Sequence, residues 1–248
     1  RSRRSKCAPC DGSAVQSSCS SLERCRVTRW SRGNSFHKRN ALIAILDYGF
    51  GNVRSAERAF ARHGLAAEIT FDKQRCIEAD GLVIPGVGAF AACMDGLERV
   101  GAAAIVDARL LANRPTLGIC VGMQVFFSTG VEHGITRPGL AQWPGTVSEL
   151  KADVLPHMGW SEVQVAEGSN LFRGIDQERF YFVHSYAAQS WDLPHSENLA
   201  PAKVTWSEYG SQFISAVENG PLSATQFHPE KSGDAGATLI ENWIKTCR

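Results

Sequence analysis

The sequence predicts an α/β fold in which a mostly parallel central sheet carries helices on both faces. Continuous apolar runs, typical of strands buried on both faces, alternate with segments of helical spacing. The connections between them are short, as in β-α-β units. The chain has 248 residues, of which 44% are hydrophobic, so it is long enough to build a core of this kind.

The first strand is predicted at residues 41–47, a continuous apolar run that ends in aspartate. Gly49 and Gly51 then form a turn, and the side chain of Asn52 can cap a helix that ends at Gly64. The following elements are predicted as strands at 66–71 and 115–120, a helix at 100–113, and a second helix from 121. The segment 81–90 is predicted as a strand that Pro85 and a glycine loop stop.

The second half of the chain changes character and predicts antiparallel hairpins added to the parallel sheet. Strand-like segments separated by turn residues lie at 144–150, 160–165, 179–188, 202–210, 213–220 and 222–230, and a final helix is expected at 237–247. Because no linker is evident after residue 40, residues 41–248 are expected to form one domain.

Residues 1–40 differ from the rest of the chain. They contain ten Lys/Arg, two Asp/Glu and few large apolar residues, so we expect a disordered basic extension. The run could also be a nucleic-acid tail or a transit-like leader. Cys7 and Cys10 have metal-ligand spacing, but Cys19 and Cys25 form no second close pair, which argues against a zinc site.

The composition of residues 41–248 excludes several classes of function. Sixteen Lys/Arg against twenty-three Asp/Glu make this part acidic, which argues against a nucleic-acid surface. No apolar run approaches the roughly 18 residues of a membrane helix, and no secretory signal is evident. The scattered cysteines predict free thiols in a reducing cytoplasm, and no pattern indicates a metal or cofactor.

The segment Gly118-Ile119-Cys120-Val121-Gly122 predicts a nucleophile elbow. Glycines on both sides of a sharp strand-to-helix turn remove side chains that would collide, as in the G-x-S-x-G motif of serine hydrolases. A helix N-terminus favours the thiolate of Cys120, and the amide of Val121 would point toward an oxyanion. The alternative is a buried cysteine in a glycine-containing turn.

Two further segments complete this hypothesis. Pro229 favours an extended His228, so that His228 and Glu230 project together as a general base and its orienting acid. The loop at 85–90, with Gly86 and Val87, follows a strand and could supply backbone amides to an oxyanion. The alternatives are an exposed His-Pro-Glu turn and a phosphate-binding loop, although the glycine spacing fits no phosphate motif.

Six segments in chain order together resemble a known family. They are DYGFGN, PGVGAF, GICVGMQ, PHMGW, YFVHSY and QFHPEKS, which span about residues 42–246. This pattern is similar to the class I (triad) glutamine amidotransferases with a flavodoxin-like sheet. Within them it most resembles the glutaminase subunits of imidazole glycerol phosphate synthase. The resemblance implies that Cys120, His228 and Glu230 hydrolyse glutamine to glutamate and ammonia.

The resemblance also implies roles for other residues. The second oxyanion donor would come from the loop at Gly86 and Val87, which in this family needs to rearrange, and the first from Val121. The substrate L-glutamine would be held by these positions: Gln124, Glu132 and the backbone around His184, Ser185 and Tyr186. This chain departs from the family at Val121, usually Leu, and at Ser161, usually Asn. The Glu132 assignment rests on a loosely matching segment.

The resemblance further implies a partner. Ammonia would pass to a separate (β/α)8-barrel cyclase, which makes imidazole glycerol phosphate and an aminoimidazole carboxamide ribotide in histidine biosynthesis. About 208 residues are too few to contain that barrel as well, so we expect a heterodimer. Tyr181, on the ammonia exit side, Asn52 and the PHMGW loop are the candidate partner contacts. A helix cap and a packed tryptophan hairpin are the alternatives for the last two.

Three alternative functions remain open from the sequence. The chain could be the glutaminase of another class I system, such as an anthranilate or pyridoxal phosphate synthase, although that should lack PHMGW and YFVHSY. It could be a non-catalytic regulatory subunit, which a complete triad disfavours. A cysteine peptidase would need an open cleft.

Overall fold

The computed structural model describes residues 41–193 and 200–247. The predicted extension 1–40, with Cys7 and Cys10, lies outside these residues. Among the described residues, no helix is both long and apolar enough to cross a membrane.

The described strands and helices follow the predicted alternation in the first half and then become mostly strands. The strands are β1 (Leu42–Leu46), β2 (Ala66–Thr70), β3 (Gly81–Gly86), β4 (Thr116–Cys120), β5 (Phe127–Glu132), β6 (Ile135–Pro138), β7 (Trp143–Glu149), β8 (His157–Glu162), β9 (Arg179–His184), β10 (Tyr186–Ala188), β11 (Lys203–Tyr209), β12 (Ser211–Asn219) and β13 (Leu222–Thr225). The helices are α1 (Val53–Ala61), α2 (Lys73–Glu78), α3 (Phe90–Arg99), α4 (Ala102–Leu111), α5 (Val121–Gln124) and α6 (Gly233–Ile244).

The central sheet has the order β11-β12-β13-β4-β3-β1-β2. The five strands from β13 to β2 are parallel, and β12 and β11 extend one edge antiparallel. Across the sheet, the connection from β1 leads in one direction, to β2. The connection from β3 leads in the opposite direction, to β4. Because parallel crossovers are right-handed, α1 lies on one face, and α3 and α4 lie on the other.

The second half differs from the prediction in how its strands pair. The segment 144–150 lies within β7, which joins β10, β5 and β6 in a separate four-stranded sheet, and β8 pairs only with β9. Three strands do extend the central sheet, with β13 parallel to β4. Period-two patterning reveals a half-buried strand but not its partner, which explains this error.

Two helices were not predicted, and one was predicted too long. The sequence prediction assigned no element to residues 73–78 or 91–99, whereas both are helical. The helix expected from residue 121 lasts only one turn, and its apolar continuation forms β5. Phe127 lies in the core, where β5 pairs with β7, so tertiary pairing decides the conformation here.

The side chain of Arg109, on α4, is fully buried at the end of the sheet where β3 and β4 begin. Its guanidinium donates to the last carbonyls of α2 and to the chain entering β4. Burial lowers its pKa to about 10. The acceptors are the carbonyls of Cys76 (2.8 Å), Ile77 (3.1 Å), Ala79 (2.9 Å), Asp80 (3.5 Å) and Pro115 (2.6 Å), and the hydroxyl of Thr116 (3.1 Å).

Candidate active site

Cys120 lies on a sharp turn between the last residue of β4 and the single turn α5. Its φ of 58° is in the region that L-residues rarely adopt. A Cβ at Gly118 would be 2.4 Å from the carbonyl oxygen of Gly122, and a Cβ at Gly122 would be 1.9 Å from the oxygen of Ile84. The flanking glycines therefore permit the close backbone contacts that the elbow requires.

Replacing Gly122 by alanine should lower both stability and activity. The clashing atom belongs to the backbone of β3 and cannot turn aside, so we expect a loss of about 2–3 kcal/mol in the free energy of unfolding. Gly64→Ala is the control, because its φ is +73° but the space around it is open. That variant should lose only about 1 kcal/mol and no activity. Denaturation and glutamate release measure the two variants. If Gly64→Ala lost as much stability and activity as Gly122→Ala, the steric explanation would be wrong.

His228 and Glu230 form a buried pair. Nδ1 of His228 lies 2.7 Å from Oε1 of Glu230, and the two side chains are 3% and 4% exposed. His228 is extended, as predicted, but Glu230 lies in a 3₁₀ turn at Pro229–Lys231 rather than in an extended segment. The turn curls the carboxylate back onto the imidazole, so the predicted proximity holds although the predicted local conformation does not.

The backbone of His228 is anchored to β9. Its N–H donates to the carbonyl of Tyr181 (3.0 Å), while the Ser232 hydroxyl donates to the carbonyl of His228 (2.7 Å). The same hydroxyl accepts from the N–H of Tyr181 (3.0 Å). Tyr181 therefore neighbours His228 through backbone contacts.

The surroundings of His228 favour its charged form. Burial disfavours the imidazolium, but hydrogen bonds and charge interactions with Cys120 and Glu230 outweigh burial and raise the pKa of His228 to about 10. Cys120 and His228 also line the same cavity. The arrangement can therefore hold an imidazolium whose Nδ1 is bound to the carboxylate of Glu230.

Glu230→Gln should lower the pKa of His228, because an amide carries no charge. Since the folded pKa lies above the ordinary value of 6.5, the stabilisation is complete below pH 6.5 and is lost as the pH rises toward 10. Between pH 6.5 and pH 10, the free energy of unfolding should therefore fall more in wild type than in Glu230→Gln. Denaturation at several pH values and an NMR titration of His228 measure this. Glu241→Gln, at an exposed ion pair, is the control, and a wild-type His228 that titrates near 6.5 would contradict the prediction.

A cavity of about 420 Å³ opens beside Cys120. Of the sites predicted from sequence, its lining includes Val87, Cys120, Val121, Gln124, Glu132, His184, Ser185, Tyr186 and His228. Gly86, Glu230, Tyr181 and Asn52 do not line it. The side chain of Asn52 caps α1 by accepting from the N–H of Ser55 (3.2 Å), so the structure shows the helix-cap alternative for this residue.

The segment at the predicted oxyanion loop approaches the elbow closely. Gly86 pairs in register with Cys120 on neighbouring strands, and a Cβ at Gly86 would be 2.4 Å from the nitrogen of Gly122. Val87 is 38% exposed and Gly88 has a φ of +92° with open space around it. The thiol of Cys93 donates to the carbonyl of Val87 (3.4 Å).

A chain of amides runs from Gln124, which lines the cavity, to the Cys120 sulfur. Gln124 Nε2 donates to the carbonyl of Tyr186 (2.7 Å) and to Oε1 of Gln226 (3.1 Å). Gln226 Nε2 in turn lies 3.8 Å from the Cys120 sulfur. Gln226 was not identified from the sequence, although it lies two residues before His228. Its buried amide links the predicted Gln124 to the nucleophile.

Glu132 has a structural contact in addition to its place in the cavity. Its Oε2 accepts from the N–H of Phe90 (2.6 Å), the first residue of α3. The preceding residue, Ala89, has no side chain that could cap this helix. A carboxylate from β5 therefore supplies the cap and ties the loop after β3 to the cavity wall.

Comparisons with known proteins agree with this geometry. The family model for class I glutamine amidotransferases matches residues 44–247. Imidazole glycerol phosphate synthase subunit HisH of Nocardia farcinica is 59% identical over 203 residues, which cover 82% of this chain and 96% of that protein. HisH of Streptomyces coelicolor is 58% identical over 206 residues, with 82% and 93% covered.

A solved glutamine amidotransferase structure superposes with a TM-score of 0.64 at 17% identity, covering 83% of this chain and 98% of that one. At this identity the likeness supports the fold alone, and it agrees with the predicted α/β sheet. The family follows from the sequence relatives. This chain belongs to the class I glutamine amidotransferases and, among them, to the family of the HisH subunits of imidazole glycerol phosphate synthase.

Proposed function

We propose that this chain hydrolyses L-glutamine with Cys120, His228 and Glu230 and delivers the ammonia to a cyclase subunit. The observation that carries the proposal is the strained Cys120 elbow beside a buried His228–Glu230 pair, at the wall of one cavity. The cyclase would use the ammonia to make imidazole glycerol phosphate and aminoimidazole carboxamide ribotide. We assign the amidotransferase domain to residues 41–248, and the extension 1–40 has no part in this mechanism.

The first half-reaction forms a thioester. The Cys120 sulfur attacks the side-chain amide carbon of glutamine, and the amide oxygen becomes a transient oxyanion. His228 gives its proton to the amide nitrogen, the C–N bond breaks, and ammonia leaves. The carboxylate of Glu230 keeps the imidazole oriented and stabilises its charged form.

The second half-reaction hydrolyses that thioester. Water attacks the thioester carbon while His228 accepts a proton from it. The C–S bond breaks, glutamate is released, and Cys120 returns as the thiolate beside protonated His228. No metal or cofactor takes part in these steps, which remains a prediction from the sequence.

Other cavity residues have assigned roles in binding. The amides of Val121 and of the segment at Gly86 and Val87 would stabilise the oxyanion. The Gln124 amide and the backbone around His184, Ser185 and Tyr186 would hold the substrate. The N–H of Phe90 binds Oε2 of Glu132. The other carboxylate oxygen of Glu132 would accept a hydrogen bond from the ammonium group of the substrate glutamine.

We assign to the cyclase, a (β/α)8 barrel, the surface that carries the exposed apolar side chains of β8. Met158 and Trp160 on β8 are 62% and 53% exposed, and large exposed apolar residues are typical of interfaces. Trp160 packs against Tyr181, with ring centroids 6.1 Å apart, which supports Tyr181 as a contact near the ammonia exit. Asn52 stays a weaker candidate because its side chain caps α1.

The reaction is assigned to the cytoplasm. Cys76, Cys93, Cys120 and Cys247 are free and buried in the described part of the chain. Reduced thiols suit a reducing compartment.

Glutamate release by the purified chain, alone and with the cyclase subunit and its ribonucleotide ligand, tests the proposal. We expect weak activity alone and strong stimulation by the liganded partner. The cyclase with ammonia but without this chain is the control for cyclase integrity. If the assembled complex released no more glutamate than the isolated chain, the assignment of the partner would be wrong.

A further inference from the structure

A line of hydrogen bonds runs from β8 to the wall of the cavity. The hydroxyl of Ser161 lies 2.8 Å from Nε2 of His157, and Nδ1 of His157 lies 3.2 Å from Nε2 of His184. Nδ1 of His184 lies 3.1 Å from the carbonyl oxygen of Tyr186. We call Ser161, His157 and His184 the histidine relay.

The chemistry of the groups fixes the direction of each hydrogen bond. The carbonyl of Tyr186 can only accept, so Nδ1 of His184 carries the proton and its Nε2 accepts. Nδ1 of His157 must then donate, and its Nε2 accepts from the Ser161 hydroxyl. Burial lowers the pKa of His157 to about 4 and that of His184 to about 3. Both rings are therefore neutral and both are protonated on Nδ1.

Aromatic rings pack around His157 and hold the plane of its ring. It is stacked between Phe182, at a centroid distance of 4.9 Å, and Tyr209, at 4.1 Å. His184 packs edge-on against Phe213 at 4.9 Å. The side chains of this cluster are aromatic, so a broken hydrogen bond in the relay leaves a polar atom facing an apolar surface.

The inner end of the relay meets the amide chain described above. The carbonyl of Tyr186 accepts from His184 and also from Gln124. Gln124 contacts Gln226, which lies against the Cys120 sulfur. The outer end lies on β8, beside the exposed Met158 and Trp160.

We propose that Ser161, His157 and His184 are positioning residues for glutamine hydrolysis, which hold the Tyr186 carbonyl and, through it, the Gln124 amide where the substrate binds. The proposal rests on the assignment of glutamine hydrolysis to this cavity. It gives a physical connection from the strand that carries the exposed apolar side chains to the substrate. None of the three residues touches the reacting atoms through this relay.

The tautomers of the two rings give a first test. Two-bond ¹H–¹⁵N spectra of protein labelled in its histidine rings should show His157 and His184 neutral at pH 7, with protonated Nδ1 and bare Nε2. Single substitutions of each histidine would assign the signals. Either ring protonated on Nε2, or charged at pH 7, would overturn the relay as drawn.

Kinetics of three serine variants give the second test. Ser161→Ala removes the outer donor and should raise the KM for glutamine about fivefold, with kcat within about twofold of wild type. Ser161→Asn keeps an N–H donor and should restore the KM. Ser207→Ala is the matched control, because its hydroxyl donates to the carbonyl of Glu162 on β8 (2.7 Å) but lies outside the relay.

The outcomes separate the relay from the function on which it rests. An unchanged KM in Ser161→Ala, or the same rise in Ser207→Ala, would overturn the relay alone. Failure of Ser161→Asn to restore the KM would also overturn it. If wild type did not hydrolyse glutamine at all, the proposed function itself would fall, and the tautomer spectra would still report whether the hydrogen bonds exist.

Discussion

Cys120→Ala should abolish glutamine hydrolysis and leave the fold intact. The sulfur is the only atom of this side chain that can form the thioester, so kcat should fall by at least about a thousandfold. Alanine fits the elbow, because it adds no atom to a position where glycines already accommodate the close backbone contacts. Glutamate release measures the loss, and thermal unfolding checks the fold.

Cys93→Ala is the matched control for this prediction. Cys93 is also a buried cysteine near the loop after β3, but its thiol donates to the carbonyl of Val87 and does not line the cavity. This variant should keep most of its activity. Cyclase activity with added ammonia should survive in a complex with Cys120→Ala. Persistent glutamine hydrolysis in Cys120→Ala would remove this residue from its role.

Arg109→Met should cause the largest loss of stability. The substitution removes the guanidinium that donates to five carbonyls and one hydroxyl in a fully buried position. Methionine fills similar space but donates nothing, so the last carbonyls of α2 lose their partners. We expect a decrease of about 3–5 kcal/mol in the free energy of unfolding, measured by urea denaturation.

Arg58→Met is the control, because it makes the same change on an exposed helical position. That variant should stay within about 0.5 kcal/mol of wild type. The cavity lies at the end of the strands opposite to Arg109, so folded Arg109→Met protein should keep its KM for glutamine. A loss below about 1 kcal/mol would show that water or a shifted α2 replaces the guanidinium.

The features that sequence reasoning predicted depend on local or periodic signals. Buried parallel strands are continuous apolar runs, and the elbow needs glycine at fixed offsets from Cys120, so both are readable from the chain. Helix α3 was missed because its N-terminus carries no local cap. The Glu132 carboxylate that caps it lies 42 residues away, and such a contact leaves no mark on the segment itself.

The same distinction holds for the candidate site. His228 and Glu230 are two residues apart, so their proximity could be predicted, although the 3₁₀ turn that produces it could not. Gln226 and the contact between His157 and His184 depend on strands meeting in space. The two histidines lie 27 residues apart, on neighbouring strands whose register is known only from the fold.

The interlocked glycines of the elbow have a consequence for how the reaction rate can be controlled. Gly86, Gly118 and Gly122 bring β3, β4 and α5 into direct backbone contact, so the Cys120 backbone cannot shift unless its neighbours shift with it. A signal from a bound partner has no room to move the sulfur. We therefore expect a partner to act on the groups around the sulfur, such as the adjoining loop at Gly88, where an added Cβ would meet no atom within 4 Å.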